Sequence, residues 1–268
     1  LARIDGLADL AGLPALLARL HAIGSNGVFG IGSNADLTDA TRNILFVAQD
    51  GMGLPERDYY TRTDEESVAL RKKYGEHVAR MLVLLGESTP DAERDAATVL
   101  ALETELAKQA FGAVDFRDPQ NLLNKISVAD AQELTPHFDW TVYLTTQGLD
   151  PAHAINLIAP GYFKNADALL AIRPLEEWKA YLRWHLLSSY ADALSKAFDE
   201  QDFDFFGRTL GGAKEQRPRW KRVIDSTGGS LGEALGQAFV EKTFSPNAKE
   251  RCLQMVGALL PAMSVRLE

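Results

Sequence analysis

Cysteine is nearly missing from this chain. Cys252 stands alone among 268 residues, so no intramolecular disulfide and no thiolate zinc cluster can form. The chain also lacks any Asn-x-Ser/Thr acceptor. Together these absences argue against a eukaryotic ectodomain and fit a bacterial protein. No apolar run approaches the roughly 20 residues that span a bilayer, so the sequence predicts no transmembrane segment. No signal peptide is visible, an absence that says little because Leu1 is not a start methionine. Excess positive charge is missing too. The net charge is −9, which repels phosphate backbones and makes nucleic acid a poor partner. A local basic cluster, Arg217, Arg219, Lys221 and Arg222, reads as a solvated helix start with ion pairs.

The usual catalytic spacings are absent as well. The histidines are His21, His77, His137, His153 and His185, and no two lie four apart on one helix. Gly24, Ser25, Asn26 and Gly27 have the wrong spacing for a nucleophilic serine turn. After the glycines at 228, 229, 232 and 236 stand Gln237 and Ala238, where a phosphate loop needs Lys and Ser or Thr. Gly229, Gly232 and Gly236 are instead spaced for one helix face and predict a close helix contact. Glu103 and Glu105 flank an apolar face and are expected to be solvated, and Glu176 and Glu177 suit a helix first turn. His185 reads as a core histidine and Cys252 as a small buried hydrophobe. No catalytic, metal or cofactor residue is therefore assigned within this chain.

What is present is helical periodicity in an ordinary globular composition, 46% apolar and 24% charged. The spacing predicts a mainly α fold with at most a few short strands, as one helical domain over 1–268. Leu13, Leu16, Leu17, Leu20 and Ile23 form a first stripe, stopped by Gly24. Ser25 to Asp39, rich in Gly, Asn and Asp, reads as loop. Ile44 to Ala48 suggests a strand, and Gly51 to Tyr60 a turn-rich connector. Thr63 with Glu66 predicts a capping box opening a helix through Leu70, Tyr74, Val78, Met81 and Leu85 to Gly86. Thr89 and Pro90 open the next, with Val99, Leu102, Leu106 and Ala110 on its face. Ser127 caps a short helix, and Asn156 to Ile158 suggests a strand. Further helices are predicted from Pro174, from about Pro218 past Phe239, and from near Asn247, where Pro261 predicts a kink. That last stripe carries no stop signal, so the element is expected to run on.

Several runs resemble one family. Gly53-Leu54-Pro55-Glu56-Arg57-Asp58-Tyr59-Tyr60, with Gln49 before it, is similar to the G-L-P-x-R-D-Y-Y block of the neprilysin and endothelin-converting-enzyme family of zinc metallopeptidases. Leu102-Glu103-Thr104-Glu105-Leu106-Ala107 resembles its L-E-x-E-[IL]-A helix. Asn121 to Ser127 and Trp178 to Trp184 resemble two further segments. Trp220-Lys221-Arg222 through Leu231-Gly232-Glu233-Ala234-Leu235-Gly236-Gln237-Ala238-Phe239-Val240, continued by Phe244, Ala248 and Lys249, resembles a fifth. The blocks keep the family's order over about three quarters of the chain. Val223 stands where mammalian members place a disulfide cysteine, which suggests a bacterial member.

The resemblance implies the N-terminal, non-catalytic region of a two-lobe peptidase. The family's H-E-x-x-H zinc motif, its further glutamate ligand and its substrate-gripping N-A-[FY] run lie beyond this region and do not occur here. Zinc therefore belongs to the full-length enzyme and no cofactor to this segment, which is expected to be inactive alone. Its substrate-binding residues stay unassigned. Its implied partners are its own C-terminal catalytic lobe and peptide substrates, and its implied location is the bacterial periplasm, cell envelope or exterior. The competing expectation is a free-standing helical interaction module without peptidase activity.

Overall fold

The computed structural model describes residues 1–267. It is mainly helical with one small sheet, as the periodicity predicts. Contacts group the chain into two compact units, Leu1–Gly212 and Ala213–Glu268, where the sequence reading has one domain.

The first unit opens with a single-turn helix α1 (Ala2–Asp5), then α2 (Leu13–Ala22), which buries Leu13, Leu16, Leu17 and Leu20 on the expected stripe. The next segment departs from expectation. The residues read as loop contain β1 (Phe29–Asp36), which pairs antiparallel with β2 (Asp39–Gln49). Local propensity disfavours a strand here, but pairing with β2 supplies the missing stabilisation. Asp36 closes the hairpin turn by accepting from the Thr38 amide and hydroxyl at 2.8 and 2.7 Å. After a short helix α3 (Asp58–Thr61) come the long helices α4 (Glu65–Leu85) and α5 (Thr89–Ala107). The cap of α4 is Asp64, which accepts from the Ser67 amide at 3.0 Å, and not the predicted Thr63 with Glu66. A carboxylate one residue later is the stronger acceptor for the exposed amides. Gly86 ends α4 at φ 111°, a left-handed conformation suited to glycine.

The strand β3 (Lys125–Ile126) leads into α6 (Val128–Leu134), where Ser127 and Asp130 form a reciprocal capping box. Then follow α7 (Trp140–Thr146), β4 (Ile155–Leu157), α8 (Pro160–Ile172) and α9 (Leu175–Ser189). The sheet order is β1-β2-β4-β3, with β2 and β4 parallel. One hydrophobic cluster joins α2, the sheet, α7 and α8 around Phe29, whose ring meets Tyr143, Trp140 and Phe138 at 5.1, 5.4 and 5.5 Å. A second cluster joins α4 and α5 with Trp184 of α9 and Phe205. The unit ends in α10 (Lys196–Asp202) and a π-helical run over Phe203–Leu210.

The second unit contains α11 (Arg219–Thr243) and α12 (Pro246–Leu267), with Pro261 inside α12. Leu231 interrupts α11 with non-helical angles, φ −126° and ψ 19°. Neither helix buries any described residue. Two expectations are corrected here. Cys252 is exposed, not buried. A Cβ added at Gly229, Gly232 or Gly236 would meet no described atom within 4 Å, so no close helix contact forms at that face. The stripes are apolar as expected, but nothing within the second unit covers them.

Candidate functional site

The run Gly51 to Tyr60 crosses between the two clusters of the first unit. Gly51 has φ 77°, and a Cβ there would lie 2.1 Å from the Tyr181 hydroxyl. At Gly53 a Cβ would lie 1.9 Å from the Tyr74 hydroxyl. Both positions demand glycine, by conformation and close approach or by close approach alone. Buried tyrosines pin the same crossing from two sides. Tyr181 accepts from the Val28 amide at 2.9 Å and donates to the Gly51 carbonyl at 2.7 Å. The single Tyr162 hydroxyl proton is shared between the carbonyls of Val28 and Asp50, at 2.5 and 2.6 Å. Val28 is held at φ 65°, rare for a β-branched residue, by these contacts.

Beneath this crossing sits Glu103, with no exposed surface. The expectation that it is solvated fails. Val99, Glu103 and Leu106 lie four and three apart, so they share the buried face of α5. That spacing is the signal the sequence offered. Tyr60 and Tyr74 donate their hydroxyls to the two carboxylate oxygens at 2.8 and 2.9 Å. Tyr60 in turn accepts from the Leu54 amide at 2.7 Å, and Tyr74 from the Trp184 indole at 2.8 Å. The His185 ring nitrogen Nε2 lies 3.0 Å from the same carboxylate, at ion-pair distance but off the line of a hydrogen bond. Burial first, and the Glu103 charge second, push both phenols far above their ordinary range. They therefore act as neutral donors. A carboxylate walled off in this way reaches no substrate. It is an anchor that ties α3, α4, α5 and α9 together.

Further polar residues of the first unit act similarly. Gln49 exchanges two hydrogen bonds with the Phe111 main chain, at 2.9 and 2.5 Å. Asn124 accepts from the Leu157 amide through its carbonyl, and its side chain donates to the Leu157 carbonyl at 2.9 Å. Asn156 accepts from the Asn124 amide at 2.8 Å. Arg57 donates to the Ala110 carbonyl at 3.2 Å. Each clamp joins segments far apart in sequence by main-chain recognition, the pattern of a fold determinant.

The histidines stay apart. His21 is buried between Tyr143, 2.7 Å from Nδ1, and the Gly27 carbonyl, and burial lowers its pKa. His77 stacks on Phe205 with ring centroids 4.9 Å apart, and burial lowers its pKa to about 4. His137 binds the buried Asp167 at 2.8 Å, and exposed His153 lies 3.6 Å from Asp150. Among the described residues no three His, Cys, Asp or Glu side chains gather as a metal site. A surface groove of about 250 Å³ is lined by Glu56, Asp58, Arg62 and Asp64 among others, and its Arg62 pairs with Asp64 at 2.9 Å. No helix among the described residues is long and apolar enough to cross a membrane.

This geometry, a helical unit whose motif residues build architecture, agrees with comparison to known proteins. The chain belongs to peptidase family M13, whose N-terminal model matches residues 1–268. Among solved structures it is similar to the Mycobacterium tuberculosis zinc metalloprotease Zmp1. In the open state the TM-score is 0.91 at 35% identity, covering 97% of this chain and 41% of that one. In the inhibitor complex the TM-score is 0.89 at 34% identity, covering 97% and 39%. Mouse endothelin-converting enzyme 1 is 28% identical over 244 residues, 89% of this chain and 32% of that protein. The chain thus spans about a third of the length of the curated relatives it matches.

Proposed function

We propose that this chain is the non-catalytic helical lobe of a neprilysin-like zinc metalloendopeptidase, capping the active-site chamber and restricting substrates to peptides. The observation that carries the reading is the bare apolar surface of α11 and α12. Trp220, Ile224, Phe239, Leu259 and Met263 are each more than half exposed in the second unit. Surface of that kind marks an interaction face. A chain that spans two fifths of its structural relatives has a natural partner for such a face, the rest of the same polypeptide. The zinc and its ligands would lie in that remainder. A location outside the bacterial cytoplasm goes with the same reading.

In such an enzyme zinc polarises the scissile carbonyl and activates water. The lobe proposed here contributes walls. A folded domain of about 100 residues has a radius of gyration of about 13 Å and would not enter an enclosed chamber, whereas a flexible peptide threads in. Entry and release then require the lobes to part, a motion that can limit turnover. The free-standing module reading is disfavoured by the same exposed helices, which an independent soluble module would bury.

The test pairs the 268-residue chain with the complete polypeptide that contains it. After dialysis the complete protein is expected to hold one zinc and to cleave short peptides while sparing folded proteins. The chain alone is expected to hold none and cleave none. One tightly held zinc in the isolated chain, or digestion of a folded protein at peptide-like rates by the complete one, contradicts the proposal.

A further inference from the structure

The sheet ends on one side at β1, which among the described residues pairs only with β2. Three contacts fix which main-chain groups face outward. The Phe29 amide turns back to the Gly27 carbonyl at 2.7 Å. The Ala35 amide turns to the Asn34 side chain at 2.8 Å. Val47, which stands opposite Ile31, gives its carbonyl to the Ile158 amide and so faces β4, away from β1. In an antiparallel ladder opposed residues either both face inward or both face away. Ile31 and Ser33 therefore present an N–H and a C=O each to the open side, and no described residue engages them there.

The rail is bounded and unguarded. Gly27 and Asn34 occupy the amides at either end, and a bulge between Ala35 and Asp36 ends the ladder. Between these limits β1 carries no Lys, Arg or Pro, the residues that usually blunt an edge. Gly32, Ser33 and Asn34 are exposed, and a Cβ on Gly32 would meet nothing within 4 Å. The opposite edge, β3, has only two residues.

We propose that the free edge of β1 is an accessory docking site for an extended peptide, the distal part of a long substrate, which adds to the sheet as a further strand. The proposal rests on the peptidase reading, because a peptidase substrate is the partner that arrives as an unpaired extended backbone. Recognition through main-chain groups gives affinity with little sequence preference. The site lies among residues that bear no metal ligands, so it governs KM for long peptides and leaves the chemical step alone.

The test uses the complete protein with two peptides sharing one cleavage sequence, one of about six residues and one extended by about fifteen. A third is the long peptide N-methylated at alternate residues of the extension. The extension is expected to lower KM about tenfold at unchanged kcat, and N-methylation to abolish that gain, since it removes the hydrogen bonds that make the strand. In the enzyme, Ser33→Pro should erase the gain and Ser33→Ala preserve it, with short-peptide kinetics unchanged in both. Equal KM for short and long peptides overturns the proposal, as does a gain that survives N-methylation. Slow hydrogen exchange at the Ile31 and Ser33 amides without substrate also overturns it, because another part of the protein or a second copy then holds the edge. If neither peptide is cut, the peptidase reading itself fails.

Discussion

The two units use similar apolar stripes to opposite effect. In the first, Trp140, Trp178 and Trp184 are essentially inaccessible, and a buried carboxylate is fully engaged. In the second, Trp220 is 61% exposed and no described residue is buried. The difference teaches where each unit's stability comes from. The first carries its own core. The second has the hydrophobic pattern of a core without the surface that would complete it. The Glu103 anchor makes the first unit demanding to assemble and intolerant of change, while the bare helices should tolerate substitutions that a finished interface would not.

The sharpest way to break this contrast is at Glu103. Glu103→Ala leaves two buried phenols without their acceptor and removes the carboxylate beside His185, and should destabilise the first unit by about 3–5 kcal/mol in denaturant unfolding. A loss below about 1 kcal/mol would show that the network is ornamental. Acid should reveal His77 next. Its pKa near 4 in the folded state lies below the ordinary 6.5, so the unfolded chain takes up a proton first. Stability should fall by up to about 3 kcal/mol as pH drops from 6.5 to 4. Asp202 acts oppositely. Burial raises its pKa to about 6, so its share of stability grows as pH falls from 6 toward 3.8. His77→Phe should therefore remove the loss and expose the Asp202 gain in a pH series, and an unchanged series contradicts the assignment.

Glycine substitutions sharpen the comparison at smaller scale. Gly53→Ala forces a methyl against the Tyr74 hydroxyl and should cost about 2 kcal/mol. Gly232→Ala meets open space in this chain and should be neutral or gain up to about 1 kcal/mol in helix propensity. In thermal melts the Gly53 variant should melt below the parent and the Gly232 variant no lower than it. A marked loss at Gly232 would mean that the face is already packed.

Helices α2, α4, α5 and α9 were legible because their apolar spacing is local. The strand at Ile44 to Ala48 is legible within β2, but β1 is not, since it depends on β2 and, through Val47 and Ile158, on a segment more than a hundred residues away. The Asp64 cap was missed because two acceptors stand side by side, and only geometry chooses between them. The π-helical run over 203–210 has no local sequence signature of its own. The motif blocks were legible as a family resemblance, but their role was not. That Tyr60, Tyr74 and His185 converge on Glu103 is a property of three-dimensional packing, although the placement of Glu103 between Val99 and Leu106 hinted at burial. Cys252 shows the converse limit. Its apolar stripe is plain in the sequence, yet burial does not follow, because a pattern specifies a face and leaves the partner unspecified.

Cys252 is also the most direct probe of the central claim that α11 and α12 are completed by the remainder of the polypeptide. In the 268-residue chain its thiol is exposed and should react with a thiol reagent rapidly and stoichiometrically under native conditions. In the complete protein, with labelling mapped to the peptide containing Cys252, the account predicts strong protection that is lost on unfolding. Equally fast labelling of Cys252 in both would contradict it.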